Sequence, residues 1–291
     1  MLSVPLQNID KNVRKISMIP FDSSIALIGA GQMGQALARG FCNSGECDPA
    51  TVIAYDPSLA AEKTLQNSIP GVRLTKTAAE ATRAARYVIL AVKPQHAASV
   101  CHEIQPALQD GTIVISIIAG LSTSWLSAKL NTSYVVRVMP NTPCLIGQGV
   151  SAISSPPELD PKDSETIQSL FSTVGVVHNV PESLLDAVTA VSGSGPGYVA
   201  LLIDALADGG VQAGLPRQLA LDLAVQTFAG TATLIATTGD HPAVVKDRVS
   251  SPGGTTVAGL SVLERKGVRG ALADAVAAAA ERSAALARSI T

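Results

Sequence analysis

The stretch "IALIGAGQMGQALARGF", Ile25 to Phe41, decides the fold. Its first four residues are apolar and strand-sized. Residues from Gln32 onward follow helical spacing. Between them Gly29, Gly31 and Gly34 stand in G-x-G-x-x-G order. A strand that feeds a helix through such a turn opens a dinucleotide-binding unit. Gly29 makes the tight turn, Gly31 lets the backbone approach a pyrophosphate, and Gly34 lets the helix pack closely. The helix start adds N–H donors and a positive dipole end. Gly29, Ala30, Gly31, Gln32, Met33 and Gly34 are therefore the candidate phosphate-binding residues. Glycines kept only for packing are the alternative, and the strand–helix–strand context argues against it.

Working outward, "TVIAYD" reads as the second strand and ends on Asp56, about 20 residues past the fingerprint, where such folds place an acid on the adenosine ribose. An acid there repels a 2′-phosphate and leans towards NADH, although Pro57 could turn it away and Lys63 could serve a phosphate. The runs "RYVILAV", "TIVISII", "YVVRVMP", "GVSAIS" and "VGVVHNV" supply further strands, with helical stretches between several of them. This alternation predicts a parallel sheet wrapped by helices. Ligands of such sheets sit beyond the carboxyl ends of the strands. "AVKPQ" places Ala91, Val92, Lys93 and Pro94 at that rim, and "RVMPNTP" places Asn141 there, where it could bond the nicotinamide amide or simply form a turn.

After Pro181 the strands stop and long apolar helices follow, with Pro196, Pro216 and Pro242 near their starts. Several are apolar on more than one face, which calls for a partner surface. The expected fold class is α/β, a Rossmann-type dinucleotide-binding domain at 23–180 followed by an all-α dimerisation and substrate domain at 181–291. Residues 1–22 read as a poorly ordered extension.

Composition excludes several function classes. The chain of 291 residues is 47% hydrophobic but only 3% aromatic, so its core rests on Ala, Val, Leu and Ile. A net charge of −2 argues against a basic nucleic-acid face. No apolar run was expected to reach the ~20 residues that span a bilayer. The four cysteines show no metal spacing, the histidines are scattered, and no metal site is expected. A cytoplasmic protein with reduced thiols is the expectation.

Five motifs in order, "GAGQMG", "AVKPQ", "RVMPNTP", "VSGSGPGY" and "SSPGGTTVAGL", resemble the pyrroline-5-carboxylate reductase family over Ile25 to Arg288. The last two are the most specific. The resemblance implies reduction of the cyclic imine 1-pyrroline-5-carboxylate to L-proline with NADPH or NADH, in a homodimer or larger homo-oligomer. Carried over by position, Ser251, Gly254 and Thr255 would hold the substrate carboxylate, the first through its hydroxyl and the others through backbone N–H groups. Thr256 would hydrogen-bond the ring nitrogen as the catalytic residue. Ala78 stands where the family often has Asn, and Gly197 where it has Ala; these departures, with Asp56, bear on the choice of cofactor.

The residues of the last motif support an anion site on their own. Gly253 and Gly254 allow consecutive N–H groups to point inward, and a helix begins at the threonines. No Lys follows the glycines as in a P-loop. A Pro-Gly turn with a Thr cap is the plain alternative. Imine reduction needs little acid–base help, because a protonated C=N is already electrophilic. A β-hydroxyacid or 6-phosphogluconate-type dehydrogenase would need a base, commonly a lysine on the interdomain helix. Between Asp163 and Pro216 the chain has no Lys or Arg. Other imine reductases and a non-catalytic dinucleotide sensor remain as further alternatives at this point.

Overall fold

The computed structural model describes residues 23–290; the expected extension at 1–22 lies outside them. Eight strands form one sheet: β1 (Ile25–Ile28), β2 (Val52–Tyr55), β3 (Arg73–Leu74), β4 (Tyr87–Leu90), β5 (Ile113–Ser116), β6 (Val135–Met139), β7 (Gly149–Ser154) and β8 (Gly175–Asn179). Their spatial order is β3-β2-β1-β4-β5-β6-β7-β8. The first six follow the doubly wound dinucleotide-binding order, with the strand order reversing between β1 and β4.

The inner strands β1, β4, β5 and β6 are buried on both faces, so their residues alternate between two apolar layers. Ile25 and Leu27 join Leu37, Phe41, Leu65, Ile167 and Phe171 on one face. These come from α1 (Gln32–Asn43), α2 (Leu59–Ser68) and, across the chain, α6 (Pro161–Ser172). Ala26 and Ile28 join Ala78, Cys101 and Leu126 on the other face. Those belong to α3 (Ala78–Arg83), α4 (Ala97–Ile104) and α5 (Thr123–Leu130). Two-sided burial is why these strands read as continuous β-branched runs rather than alternating ones.

One pairing departs from the expected parallel sheet: β7 runs antiparallel to β6, then pairs parallel with β8. A parallel return needs a crossover of a dozen or more residues. Between Met139 and Gly149 the chain makes only a 3-10 turn, Thr142–Ile146, so it must reverse. The sheet also gains β3, a two-residue edge strand with no hydrophobic run to announce it.

From Glu182 the chain is helical. A 3-10 turn, α7 (Leu185–Val188), a π-turn (Thr189–Gly193) and α8 (Gly195–Gln212) follow without a break. Then come α9 (Arg217–Thr238), α10 (Pro242–Arg248), α11 (Thr255–Arg265) and α12 (Val268–Ile290). Pro196 lies in the first turn of α8, Pro216 caps α9 and Pro242 opens α10.

Helices α8 and α9 form a hairpin, with Arg217 binding Asp204 at 2.8 Å and also Asp208. Ser283 of α12 donates to Asp186 of α7 at 2.6 Å. Yet the buried cluster of this hairpin is only Ala207, Ala220 and Ala224. Leu201, Leu219, Leu223 and Leu234 stay exposed. The expectation about spanning segments is corrected here. Glu182–Gln212 and Arg217–Thr238 are long and apolar enough to cross a membrane by length and composition. Small residues and spaced polar ones had hidden this in the raw sequence.

The helical part joins the sheet at its carboxyl end. Met139, Ala152 and Leu185 form a small core there. Beside it the Glu182 carboxylate accepts the Thr123 N–H at the start of α5 (2.6 Å) and pairs with the Arg137 guanidinium at 3.0 Å. Burial works to raise the Glu182 carboxyl, but the Thr123 N–H and Arg137 outweigh it and hold it below the ordinary value.

Candidate active site

The glycine loop is built by close approach. Gly29 has φ +102, and a Cβ there would lie 2.7 Å from the Ala91 carbonyl oxygen. A Cβ on Gly34 would lie 2.3 Å from the Gly29 carbonyl oxygen. Gly31 differs, because a Cβ there would meet nothing within 4 Å. Two glycines are thus required by the fold, while the third leaves room for something else. The Gly29 N–H donates to Tyr55 and the Ala91 N–H to Ile28, which locks the loop between β2 and β4.

Helix α1 begins at Gln32 with no side-chain cap and no acid in its first turn. Its first N–H groups and dipole therefore face the space beside Gly31. Ala30, Gln32 and Met33 complete this edge. A pyrophosphate suits this edge in chemistry and in room, so the residues present fit a dinucleotide.

Asp56 closes the same rim. Its Oδ2 accepts the Ala30 N–H at 2.7 Å and its Oδ1 accepts the Ser58 N–H at 2.8 Å. Pro57 does not turn it away. Ala91, Val92, Lys93 and Pro94 follow β4; Lys93 is exposed and precedes the 3-10 turn Pro94–His96. Asn141 lies at the end of β6 and is buried. Its Oδ1 accepts the Val150 N–H of β7 at 2.9 Å. That oxygen holds the chain reversal, while the amide nitrogen makes no hydrogen bond among the described residues and is open to a nicotinamide. The Sδ of Met139 lies 3.9 Å from where a Gly193 Cβ would be, so the "VSGSGPGY" segment borders this rim.

The loop Ser250–Leu260 lies at the start of α11. Gly253 has φ +69, following Pro252, as a turn of this kind requires. The Gly254 N–H donates to the Ser251 carbonyl at 2.9 Å and closes that turn. This corrects one sequence expectation: the Gly254 amide is occupied within the loop and is not a free carboxylate donor. A Cβ on Gly254 would lie 2.3 Å from the Ser251 hydroxyl oxygen, so that side chain would have to turn to admit one.

What remains points outward. Helix α11 starts at Thr255 without a side-chain cap and without an acid in its first turn. The hydroxyls of Ser251, Thr255 and Thr256 make no hydrogen bond among the described residues, and Ser251 and Thr255 are exposed. Lys246 and Arg248 are already paired, with Asp247 at 3.4 Å and with Asp240. The loop's own backbone bonds are all local. The structure thus gathers the cofactor candidates at one rim, and presents the substrate candidates on a separate exposed loop of the same chain.

The cysteines add no nucleophile. All four are unpaired. Burial pushes the thiols of Cys42 and Cys101 up to about 11 and that of Cys47 to about 12. Sequence reading missed Arg137, Glu182 and Glu103 as members of this rim. Glu182 follows a proline at a domain joint, which is its only local signal.

Comparison with known proteins agrees with this layout. Residues 182–286 match the family model described as pyrroline-5-carboxylate reductase dimerisation. Residues 24–120 match one described as NADP oxidoreductase, coenzyme F420-dependent. A pyrroline-5-carboxylate reductase of Synechocystis is 44% identical over 89% of this chain and 96% of its own length. One from Arabidopsis thaliana is 41% identical over 94% of this chain and all of its own. The Plasmodium falciparum pyrroline carboxylate reductase, solved with NADP bound, superposes with a TM-score of 0.84 at 33% identity, over 92% of this chain and 99% of that one. A dinucleotide cradle and a helical half, each similar to the same set of proteins along nearly its whole length, place this chain in the pyrroline-5-carboxylate reductase family.

Proposed function

We propose that this chain reduces 1-pyrroline-5-carboxylate to L-proline with NADPH or NADH, working as a homodimer or larger homo-oligomer. The observation that carries the reading is similarity continuous through both halves, over 96% of the Synechocystis relative's length. A β-hydroxyacid dehydrogenase or a dinucleotide sensor would not be expected to share the helical half with it.

The nicotinamide, when bound, supplies the hydride. Residues 23–180 hold the dinucleotide, and residues 181–291 supply substrate contacts and the partner surface. The uncapped start of α1 takes the pyrophosphate. The Ser251 hydroxyl and the N–H groups of Thr255 and Thr256 take the substrate carboxylate, with the dipole of α11 behind them. The Thr256 hydroxyl orients the ring nitrogen. Hydride addition to the carbon of a protonated C=N leaves a secondary amine, so no strong general acid is needed. A second copy covers the exposed apolar faces of α8 and α9. Four unpaired thiols support a reducing, cytoplasmic setting.

The test is consumption of reduced nicotinamide by purified protein. Turnover is expected only when pyrroline-5-carboxylate is added, and none with either cofactor would refute the assignment. Thr256→Ala should lower kcat about 10²-fold with cofactor binding intact. Unchanged turnover would remove Thr256 from the mechanism.

A further inference from the structure

We propose that Asp56 makes this chain select NADH over NADPH. The inference rests on the reductase reading for its assay but not for its geometry. Asp56 follows β2, whose last residue Tyr55 sits in register with Ile28, the residue before Gly29. Its carboxylate therefore stands beside the glycine loop, where the adenosine ribose of a bound dinucleotide lies.

Two backbone bonds fix it there. Oδ2 takes the Ala30 N–H and Oδ1 the Ser58 N–H, at 2.7 and 2.8 Å. Each carboxylate oxygen keeps a further lone pair for the O–H groups of a vicinal diol. A 2′-phosphate has no proton to donate in that exchange and brings negative charge against negative charge. Because both oxygens are held, the side chain cannot swing aside without losing two charge-assisted bonds.

The surroundings add carboxylates rather than cations. The phenol of Tyr55 is raised first by burial and then by Glu103, Glu62 and Asp56, which puts three acids around one edge of this rim. Glu103 Oε1 already accepts the N–H groups of Ala78 and Ala79 at the start of α3, at 2.8 and 3.4 Å. Those amides are thus closed to a phosphate. The next cations along the chain after Asp56 are Lys63 of α2, Arg73 of β3 and Lys76 beyond it. All three are exposed, and none forms an ion pair among the described residues. The Plasmodium relative was solved with NADP bound, so a related fold admits a 2′-phosphate and the exclusion proposed here rests on Asp56 itself.

Two measurements test it. In steady-state assays with pyrroline-5-carboxylate, kcat/KM for NADH should exceed that for NADPH by at least about tenfold. Asp56→Ser should lower the NADH value and raise the NADPH value, narrowing or reversing the ratio. A wild-type preference for NADPH would overturn the proposal, as would an Asp56→Ser variant that loses both cofactors equally. Calorimetric titration of the unaltered protein needs neither a variant nor turnover. Adenosine 5′-monophosphate should bind at least about tenfold more tightly than adenosine 2′,5′-bisphosphate. Equal or reversed affinities would refute the role of Asp56 even if the reductase assay succeeds. Discrimination without turnover would sink the reductase reading alone.

Discussion

Gly31 and Gly34 look alike in the sequence and do different work. A methyl on Gly34 would meet the Gly29 backbone at 2.3 Å, while one on Gly31 meets open space. Gly34→Ala should therefore destabilise the fold by about 1–3 kcal/mol, since backbone has to move. Gly31→Ala should melt like the parent but bind reduced dinucleotide weakly, because its methyl enters the space of the pyrophosphate. Thermal melts paired with fluorescence titration of cofactor separate the two. A Gly31→Ala protein that binds normally would mean the cradle lies elsewhere. The spacing of these residues was legible because it is local. Their division of labour was not, since it depends on what β4 and the loop bring alongside. The same limit explains Gly254: its place in a Pro-Gly-Gly loop was readable, but the bond from its amide to Ser251 is set by the turn at Gly253.

At the scale of elements, the strands were readable wherever burial on both faces left an unbroken apolar run, as in "VILAV" and "TIVISII". The edge strand Arg73–Leu74 left no such trace. The reversal at β7 depends on loop length and on Asn141 holding Val150, a contact no periodicity encodes. Glu182 is the clearest case of information absent from local sequence, since its partners Thr123 and Arg137 lie 59 and 45 residues away. It ties the start of the helical half to both β6 and α5. Its carboxyl is held below the value of 4.5, so its contribution is present above that pH and is lost as pH falls through the lower, folded value. Glu182→Gln should flatten the acid limb of the melting temperature below about pH 4.5 relative to the parent. Identical acid limbs would show that the joint does not depend on this charge.

For the whole molecule, the decisive contrast lies between its two halves. The sheet carries two apolar layers of its own. The α8–α9 hairpin buries three alanines and leaves most of its leucines outside. Apolar helices were legible in the sequence, but which of their faces the chain itself would cover was not. Leu223 is 50% exposed in the single chain. Leu223→Glu should yield a monomer by sedimentation and lose reductase activity, while the dinucleotide half keeps its secondary structure. A variant that stays assembled and active would show that another face of the helices makes the pair.

A three-alanine core has a consequence for how this sequence can change. If the driving force for ordering its C-terminal half arrives with an identical twin, any residue on a two-fold-related surface is felt twice per assembly. A mild defect there is doubled in free energy, and so is a mild improvement. Drift in that half is judged on the pair, whereas drift in the sheet is judged on the single polypeptide.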